Sequence, residues 1–355
     1  MAIGTESALY QTIHRQPADL RRVLSEEWKP AAEAATILAG ARRVFLAGMG
    51  TSYCAALAGA WMLRAAGADA RPVNSYDLAC YTDAYRPSEK DVFIILSHTG
   101  VKHYSRVLFD VARQARCRVV AIAGTEAAIG DADAVLRTTQ RETSAAYTSS
   151  HLCAMAAIAQ IATELGDIRR SDGTAGFRRC LEAMPSQVEE VIERGEELAP
   201  FARRSASRAN YAVGAGPNEA SAWEVVIKVR EAAFGKIDGL GLEQYLHGPV
   251  VSLNAGDGVL LVNYPGASTR RVNVAARVFD MIGADMLVLG DAPEQPTDAA
   301  VFPLPSTDEH LSPMLSLLPM QFFAYHMAAA QGVNPDMARR DTPKYHAAIA
   351  ELLRA

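Results

Sequence analysis

Short, nearly continuous apolar runs alternate with stretches of helical periodicity along most of this chain. Arg43-Val44-Phe45-Leu46-Ala47-Gly48 reads as a buried strand, and Met49-Gly50-Thr51-Ser52 turns it into an Ala-rich helix. Val92-Phe93-Ile94-Ile95-Leu96-Ser97 repeats the pattern, with Thr99-Gly100 opening the next helix. Residues 117–123 form a third predicted strand and Ala134-Val135-Leu136 a short fourth, followed by an apolar helix from Thr148 to Leu165. Strands that are apolar on both faces, each followed by a helix, predict a parallel sheet covered on both sides. Residues 170–206 are charged and helical, and the alternation then restarts. Tyr211 to Pro217 is a strand and turn, residues 259–264 and 286–289 supply further strands, and an apolar helix runs from Pro313 to Ala330. The expectation is an α/β protein of two similar three-layer α/β/α units, each with a mainly parallel sheet. Its divisions are a helical segment over 1–34, a first unit over 35–168, a helical connector over 169–206, a second unit over 207–333 and a tail over 334–355.

Composition narrows the class. The 355 residues are 50% apolar, enough for a sizeable core, and carry a formal net charge of −5. No long basic block is present, which argues against general nucleic-acid binding and leaves small anionic ligands open. Cys54, Cys80, Cys117, Cys153 and Cys180 are scattered without zinc spacing and read as reduced thiols of a cytoplasmic protein. The first residues lack a basic and apolar leader, and no apolar run reaches the roughly 20 residues of a membrane span.

Three junctions in the first half are rich in hydroxyls: Gly50-Thr51-Ser52, Ser97-His98-Thr99-Gly100 and Thr148-Ser149-Ser150. In a parallel sheet such turns lie at the carboxyl ends of the strands, where free helix N–H groups and hydroxyls suit a phosphate. The same residues are also the preferred helix caps, so capping alone is the competing explanation. Gly48-Met49-Gly50 lacks the third glycine of the dinucleotide fingerprint and no phosphate-loop motif occurs, so neither a dehydrogenase nor a P-loop ATPase is expected. His98, His103 and His151 lack partnered carboxylates, and no metal or other cofactor is expected.

The run from Glu224 to Pro249 carries the second candidate site. Glu224, Lys228 and Glu231 stand at i, i+4 and i+7, on one side of a helix that is otherwise strongly apolar. Charges in such a setting pair or perform chemistry, unless the face is a solvated stripe of salt bridges. His247-Gly248-Pro249 follows in a Gly-rich loop and adds a group that titrates near neutral pH.

Gly50-Thr51-Ser52, Ser97-x-Thr99-Gly100, Glu142-x-Ser144-Ala145-Ala146-x-Thr148, Glu224-x3-Lys228-x2-Glu231 and His247-Gly248-Pro249 resemble, in order and spacing, the tandem SIS (sugar isomerase) domain family. The resemblance covers nearly the whole chain. It implies two SIS-type domains and a function like that of the isomerase half of glucosamine-6-phosphate synthase, or of sugar-phosphate deaminases and fructosamine-6-phosphate deglycases. It implies Glu231 as the base that moves a proton between C1 and C2, and His247, reaching across a homodimer interface, as the ring-opening group. Lys344, in a tail that resembles the family's through Asp336-x-x-Arg339, is implied as the contact to the open-chain carbonyl. Gly50, Thr51, Ser52, Ser97, His98, Thr99, Lys102, Ala145 and Thr148 are implied around the sugar phosphate, supported by Glu224 and Lys228. Such a site opens a hemiacetal with an acid and a base near neutrality and passes through an enediol held by a nearby cation.

The chain also departs from the pattern. Lys102 stands where a phosphate-binding threonine is usual, Tyr147 where a small serine is common, and Gln244 replaces a glutamate, with Glu243 displaced by one. The synthases' glutaminase cysteine has no counterpart before Cys54, so glutamine-dependent amide transfer by this polypeptide alone is not expected. The expected reaction is isomerisation coupled to deamination or deglycation. Simple isomerisation, amination with free ammonia and non-catalytic sugar-phosphate sensing are the alternatives.

Overall fold

The computed structural model describes residues 6–352 with the exception of Val101 and Pro296. Its first sheet contains β1 (Arg43–Gly48), β2 (Ala70–Asn74), β3 (Asp91–Leu96), β4 (Arg118–Ala123) and β5 (Ala134–Arg137), all parallel, in the order β2-β1-β3-β4-β5. The second contains β6 (Asn210–Gly214), β7 (Asp238–Gly241), β8 (Gly258–Asn263), β9 (Asp285–Gly290) and β10 (Ala300–Phe302), also all parallel, ordered β7-β6-β8-β9-β10. The two orders are the same when each unit is counted from its own first strand. In this topology the chain reverses its direction of winding between the first and third strands, which opens a crevice at their carboxyl ends.

Alternation along the strands sorts residues into three apolar layers. Phe45, Phe93 and Ile95 point to an outer layer of the first unit, and Tyr211, Val259 and Leu261 to an outer layer of the second. Leu46, Ile94, Leu260 and Leu287 all point into one continuous middle layer, shared with the helices Ala8–Glu26, Ser149–Arg169 and Pro313–Gln331. The inner faces of both sheets therefore pack on a common set of helices. This fixes the units against each other through apolar burial, at about 25 cal/mol per Å².

Three strands absent from the sequence expectation are real: β2, β7 and β10. All three are edge strands, paired on one side only. Their sequences, ARPVN, DGLG and AVF, are short or polar, so they lack the apolar run that marks the central strands.

The duplication extends to the turns. At Gly48 a Cβ would lie 2.4 Å from the Ser52 carbonyl oxygen, and Gly50 has φ +55°. At Gly214 a Cβ would lie 2.1 Å from the Asn218 carbonyl oxygen, and Gly216 has φ +54°. In both units the strand meets its helix too closely for a side chain and then turns through a left-handed residue, which only glycine does without strain.

Candidate active site

The turn after β1 delivers Thr51 to the first position of the helix Thr51–Ala65. Its Oγ1 donates to Glu224 Oε1 (3.1 Å) and accepts from Lys228 Nζ (3.1 Å), both from the second unit. Lys228 Nζ also lies 3.2 Å from Glu224 Oε1 and 3.3 Å from Glu231 Oε2. The side chains of Glu224 and Lys228 are each 2% exposed, whereas Glu231 is 42% exposed. Burial alone would lower the Lys228 pKa, but Glu224 and Glu231 outweigh it and raise it above the ordinary lysine value. The ammonium is therefore fixed, and Glu231 is the member of the cluster that solvent or a ligand reaches.

The α-helix Glu219–Lys228 widens into a π turn over Val229–Ala233 before reaching left-handed Phe234. Glu231 sits on this turn rather than on a continuing α-helix, and still reaches Lys228. Wider turns of this kind re-aim a side chain and recur at functional sites.

Beside β1, the carboxyl end of β3 carries Ser97, His98 and Thr99. Ser97 Oγ, His98 Nε2 and Thr99 Oγ1 are buried and have no hydrogen-bond partner. Burial lowers the His98 pKa, so its imidazole is neutral, and Tyr147 packs edge-on against it at 5.3 Å. These three unpartnered polar groups stand together at one strand end, within the winding-reversal crevice where parallel sheets bind ligands. Ser52 is half-buried next to Thr51.

The third junction differs from the sequence expectation of an open anion site. Glu142 occupies it: its carboxylate accepts from Thr148 N (2.8 Å), Ser150 N (2.8 Å) and Thr148 Oγ1 (3.4 Å). Glu142 thus satisfies the free donors at the start of the helix Ser149–Arg169. Thr148 is fully buried and already bonded, and Ala145 is half-buried in the same loop. His151, three residues after Thr148, is buried with Nδ1 unpartnered. Burial lowers its pKa against the opposing pull of Glu224. Cys54 lies beside Glu224, its thiol kept protonated first by burial and then by that carboxylate.

Lys102, His247 and Lys344 fall outside this cluster. Lys102 is exposed immediately before the helix His103–Ala115. His247 is exposed at the end of the helix Leu242–Leu246, near Glu243, which pairs with Arg271. Lys344 is exposed in the first turn of the helix Pro343–Leu352 and makes no hydrogen bond or ion pair among the described residues.

The tail is nonetheless anchored next to Glu231. Asp336 accepts from Ala8 N (2.9 Å), Leu9 N (2.8 Å) and Ser7 Oγ (3.2 Å), closing the start of the first helix. The Arg339 guanidinium lies over the rings of Phe234 (4.4 Å) and Tyr345 (4.6 Å). Between this tail and the π turn is a cavity of about 830 Å³ whose lining includes Glu231, Phe234, Lys236 and Arg339. The Asp336-x-x-Arg339 spacing is visible in the sequence, whereas the approach of Lys236 and of the Phe234 ring to Glu231 and Arg339 exists only in the fold.

The second unit's corresponding crevice is filled from within. Asn218, at the position of Ser52, exchanges hydrogen bonds with Ser312 and Ser316 (both 2.8 Å). Beyond β8, Glu309 Oε2 accepts from Ala267 N (3.1 Å), and its carboxylate lies where a Cβ on Gly266 would be. Among the described residues no cluster of three metal-binding side chains exists, and no helix is long and apolar enough to cross a membrane.

Residues 37–164 match the model of the SIS domain family. The chain is 24% identical over 346 residues to a glutamine–fructose-6-phosphate aminotransferase (isomerizing) of Pyrococcus horikoshii, covering 95% of this chain and 57% of that protein. It therefore spans a little over half the length of the curated relatives it matches. Among solved structures it superposes on the C-terminal domain of glucosamine-fructose-6-phosphate aminotransferase from Francisella tularensis with a TM-score of 0.85, at 15% identity, over 94% of this chain and 99% of that one. It also superposes on glucosamine-6-phosphate deaminase from Thermotoga maritima with a TM-score of 0.76, at 18% identity, over 93% and 97%. The first unit thus carries the match to the SIS domain, and the chain as a whole shares its fold, a pair of like-ordered parallel sheets, with these solved structures.

Proposed function

We propose that the chain is an enzyme that binds an amine-bearing sugar phosphate and moves a proton between C1 and C2, so that the amine leaves by hydrolysis. The observation that carries this reading is the juxtaposition of two unlike half-sites. Orphaned hydroxyls at the end of β3 stand beside Thr51, which is hydrogen-bonded to the buried Glu224–Lys228 pair. The hydroxyls, with Ser52, suit the phosphate, and the exposed carboxylate of Glu231, held 3.3 Å from a fixed ammonium, suits the proton shuttle.

The steps balance without a redox partner. Glu231 takes the C1 proton of a 1-amino-2-keto sugar, the electron pair moves toward the C2 oxygen, which takes up a proton, the nitrogen gives up its N–H proton, and a proton returns to C2 as the C1–N double bond forms. The C1–N bond is now an imine. Water adds to C1, the C–N bond breaks, and an aldose phosphate and a free amine leave. A 2-amino aldose follows the same path with C1 and C2 exchanged. Lys228, 3.3 Å from Glu231, holds that carboxylate in place, and Lys344 is in this reading the tail cation that meets the open-chain carbonyl. His247 is exposed and acts, in this reading, in the site of a partner subunit within a homodimer.

The test is Glu231→Gln assayed on fructosamine 6-phosphate and glucosamine 6-phosphate. Loss of about 10²- to 10⁴-fold in kcat is expected for removal of a general base. Full retention of turnover removes Glu231 from this role. A sensor is the second reading, favoured by the exposure of both His247 and Lys344 away from the cluster. Binding of sugar phosphates with no turnover of any of them by the wild-type protein selects it.

A further inference from the structure

The turn after β3 holds two kinds of polar group, and only one of them suits an anion as it stands. Ser97 and Thr99 have hydroxyl protons to give, and both oxygens are buried without a partner among the described residues. His98 between them is different. Its ring packs on Gly124, where a Cβ would lie 2.6 Å from the His98 carbonyl oxygen and 3.0 Å from Cε1. Its Nδ1 is 3.4 Å from Thr138 Oγ1, and that hydroxyl lies closer, at 3.1 Å, to the Ala123 carbonyl oxygen. A hydroxyl has one proton. With that proton given to Ala123, Oγ1 faces His98 as an acceptor, and Nδ1 holds the ring proton. Nε2, buried and unpartnered, is then a bare lone pair in the neutral ring.

A phosphate monoester is mostly a dianion at neutral pH, since its second pKa is about 6. Its oxygens are then acceptors, which a lone pair on Nε2 repels and an imidazolium attracts. The surroundings keep the ring neutral until such a charge arrives. Burial comes first in lowering the His98 pKa, Glu142 opposes it, and Arg141 and Arg15 add to the lowering. Glu142 is the one carboxylate among these, and it is already committed to the Thr148 and Ser150 amides. Arg15 is paired with Asp19 at 2.7 Å, and Tyr147 meets the ring only edge-on.

We infer that His98 couples anion binding at this turn to proton uptake: the phosphate enters together with one proton from solvent, which settles on Nε2 and turns that nitrogen from an acceptor into a donor beside Ser97 and Thr99. The inference rests on the reading of this turn as the phosphate half-site. Affinity then falls as pH rises, and release of the anion returns the proton to solvent.

Sulfate is the sharper probe, because it does not titrate near neutrality whereas phosphate does. Titration calorimetry of the full chain with sodium sulfate and with sodium phosphate, in buffers of different ionisation enthalpy, counts the protons taken up. The wild-type protein should take up about one proton per sulfate near neutral pH, its affinity falling by up to about tenfold per pH unit. His98→Gln offers an amide donor that does not titrate, and should bind sulfate with no proton uptake and a flat pH profile. Thr138→Val removes the acceptor that holds the ring proton on Nδ1. The neutral ring can then donate from Nε2, and uptake should fall below that of the wild type. Equal uptake in wild type and His98→Gln, or none in either, overturns the inference and leaves the half-site standing. So does phosphate bound with sulfate refused, since the proton then arrives on the ligand. If His98→Gln does not fold, unchanged uptake in Thr138→Val overturns it instead. Binding of neither anion, or binding that survives Ser97→Ala/Thr99→Val, removes the half-site itself and the inference with it.

Discussion

Replacing Lys228 with methionine keeps the length of the side chain and removes its charge from a site where it is 2% exposed. Glu224, also 2% exposed, then loses the ammonium at 3.2 Å and keeps only the Thr51 hydroxyl at 3.1 Å. Breaking a buried ion pair from one side costs about 3–5 kcal/mol, because the surviving charge remains desolvated. Glu231, at 42% exposed, recovers water when the lysine goes and adds little to that figure. The double variant Lys228→Met/Glu224→Leu removes both charges and is expected to be more stable than Lys228→Met alone by about 2 kcal/mol. Urea unfolding at pH 7, followed by far-UV circular dichroism and tryptophan fluorescence, measures each value where the two probes coincide. The pH is safely chosen. The Lys228 pKa is raised in the folded state, so its contribution is complete below the unfolded value of about 10.4 and is lost only as pH climbs through the folded value. A loss below about 1 kcal/mol for Lys228→Met, or strict additivity of the double variant, refutes the picture of a desolvated, mutually dependent pair.

Ser97→Ala and Thr99→Val should leave the ligand-free protein as stable as before, or slightly more so, since each removes an unpartnered buried hydroxyl. The same variants should raise KM for a sugar phosphate about tenfold each, read by kinetics alongside the ligand-induced shift in Tm. Asp336→Ala removes the cap of the first helix at a cost of about 1–2 kcal/mol, and should expose the bonds after Arg339 and Arg340 to trypsin. His151 has a lowered pKa from burial, so the folded state resists its protonation and stability falls as pH drops below about 6.5. His151→Phe should flatten that fall in Tm between about pH 6.5 and 5, by up to about 1.4 kcal/mol per pH unit at most. Mixing inactive Glu231→Gln and His247→Asn chains, refolded together, should restore about a quarter of the wild-type activity if a dimer shares its sites, and none if it does not.

The central strands and the long apolar helices were legible because a sheet buried on both faces writes itself as continuous apolar sequence. β2, β7 and β10 were not, because an edge strand needs neither that run nor two partners. Glu224, Lys228 and Glu231 announced themselves as charges in an apolar segment, but their link to Thr51 crosses 173 residues or more and exists only in the fold. The third hydroxyl junction misled for a physical reason: a carboxylate six to eight residues upstream satisfies the same backbone donors that an anion would. Spacing shows that donors are present. It does not show who has already taken them, and the orphaned Ser97 and Thr99 look no different in sequence from the occupied Thr148.

The self-filled crevice of the second unit bears on ligand counting. With Asn218 bound by two serines and Glu309 on the Ala267 amide, a phosphate entering there meets side chains already paired and a carboxylate in place of free donors at those two positions. Two like-ordered sheets therefore do not make two receptors. Saturation should come at one sugar phosphate per chain, with a single affinity, and the second half behaves as a scaffold whose rigidity does not depend on metabolite supply.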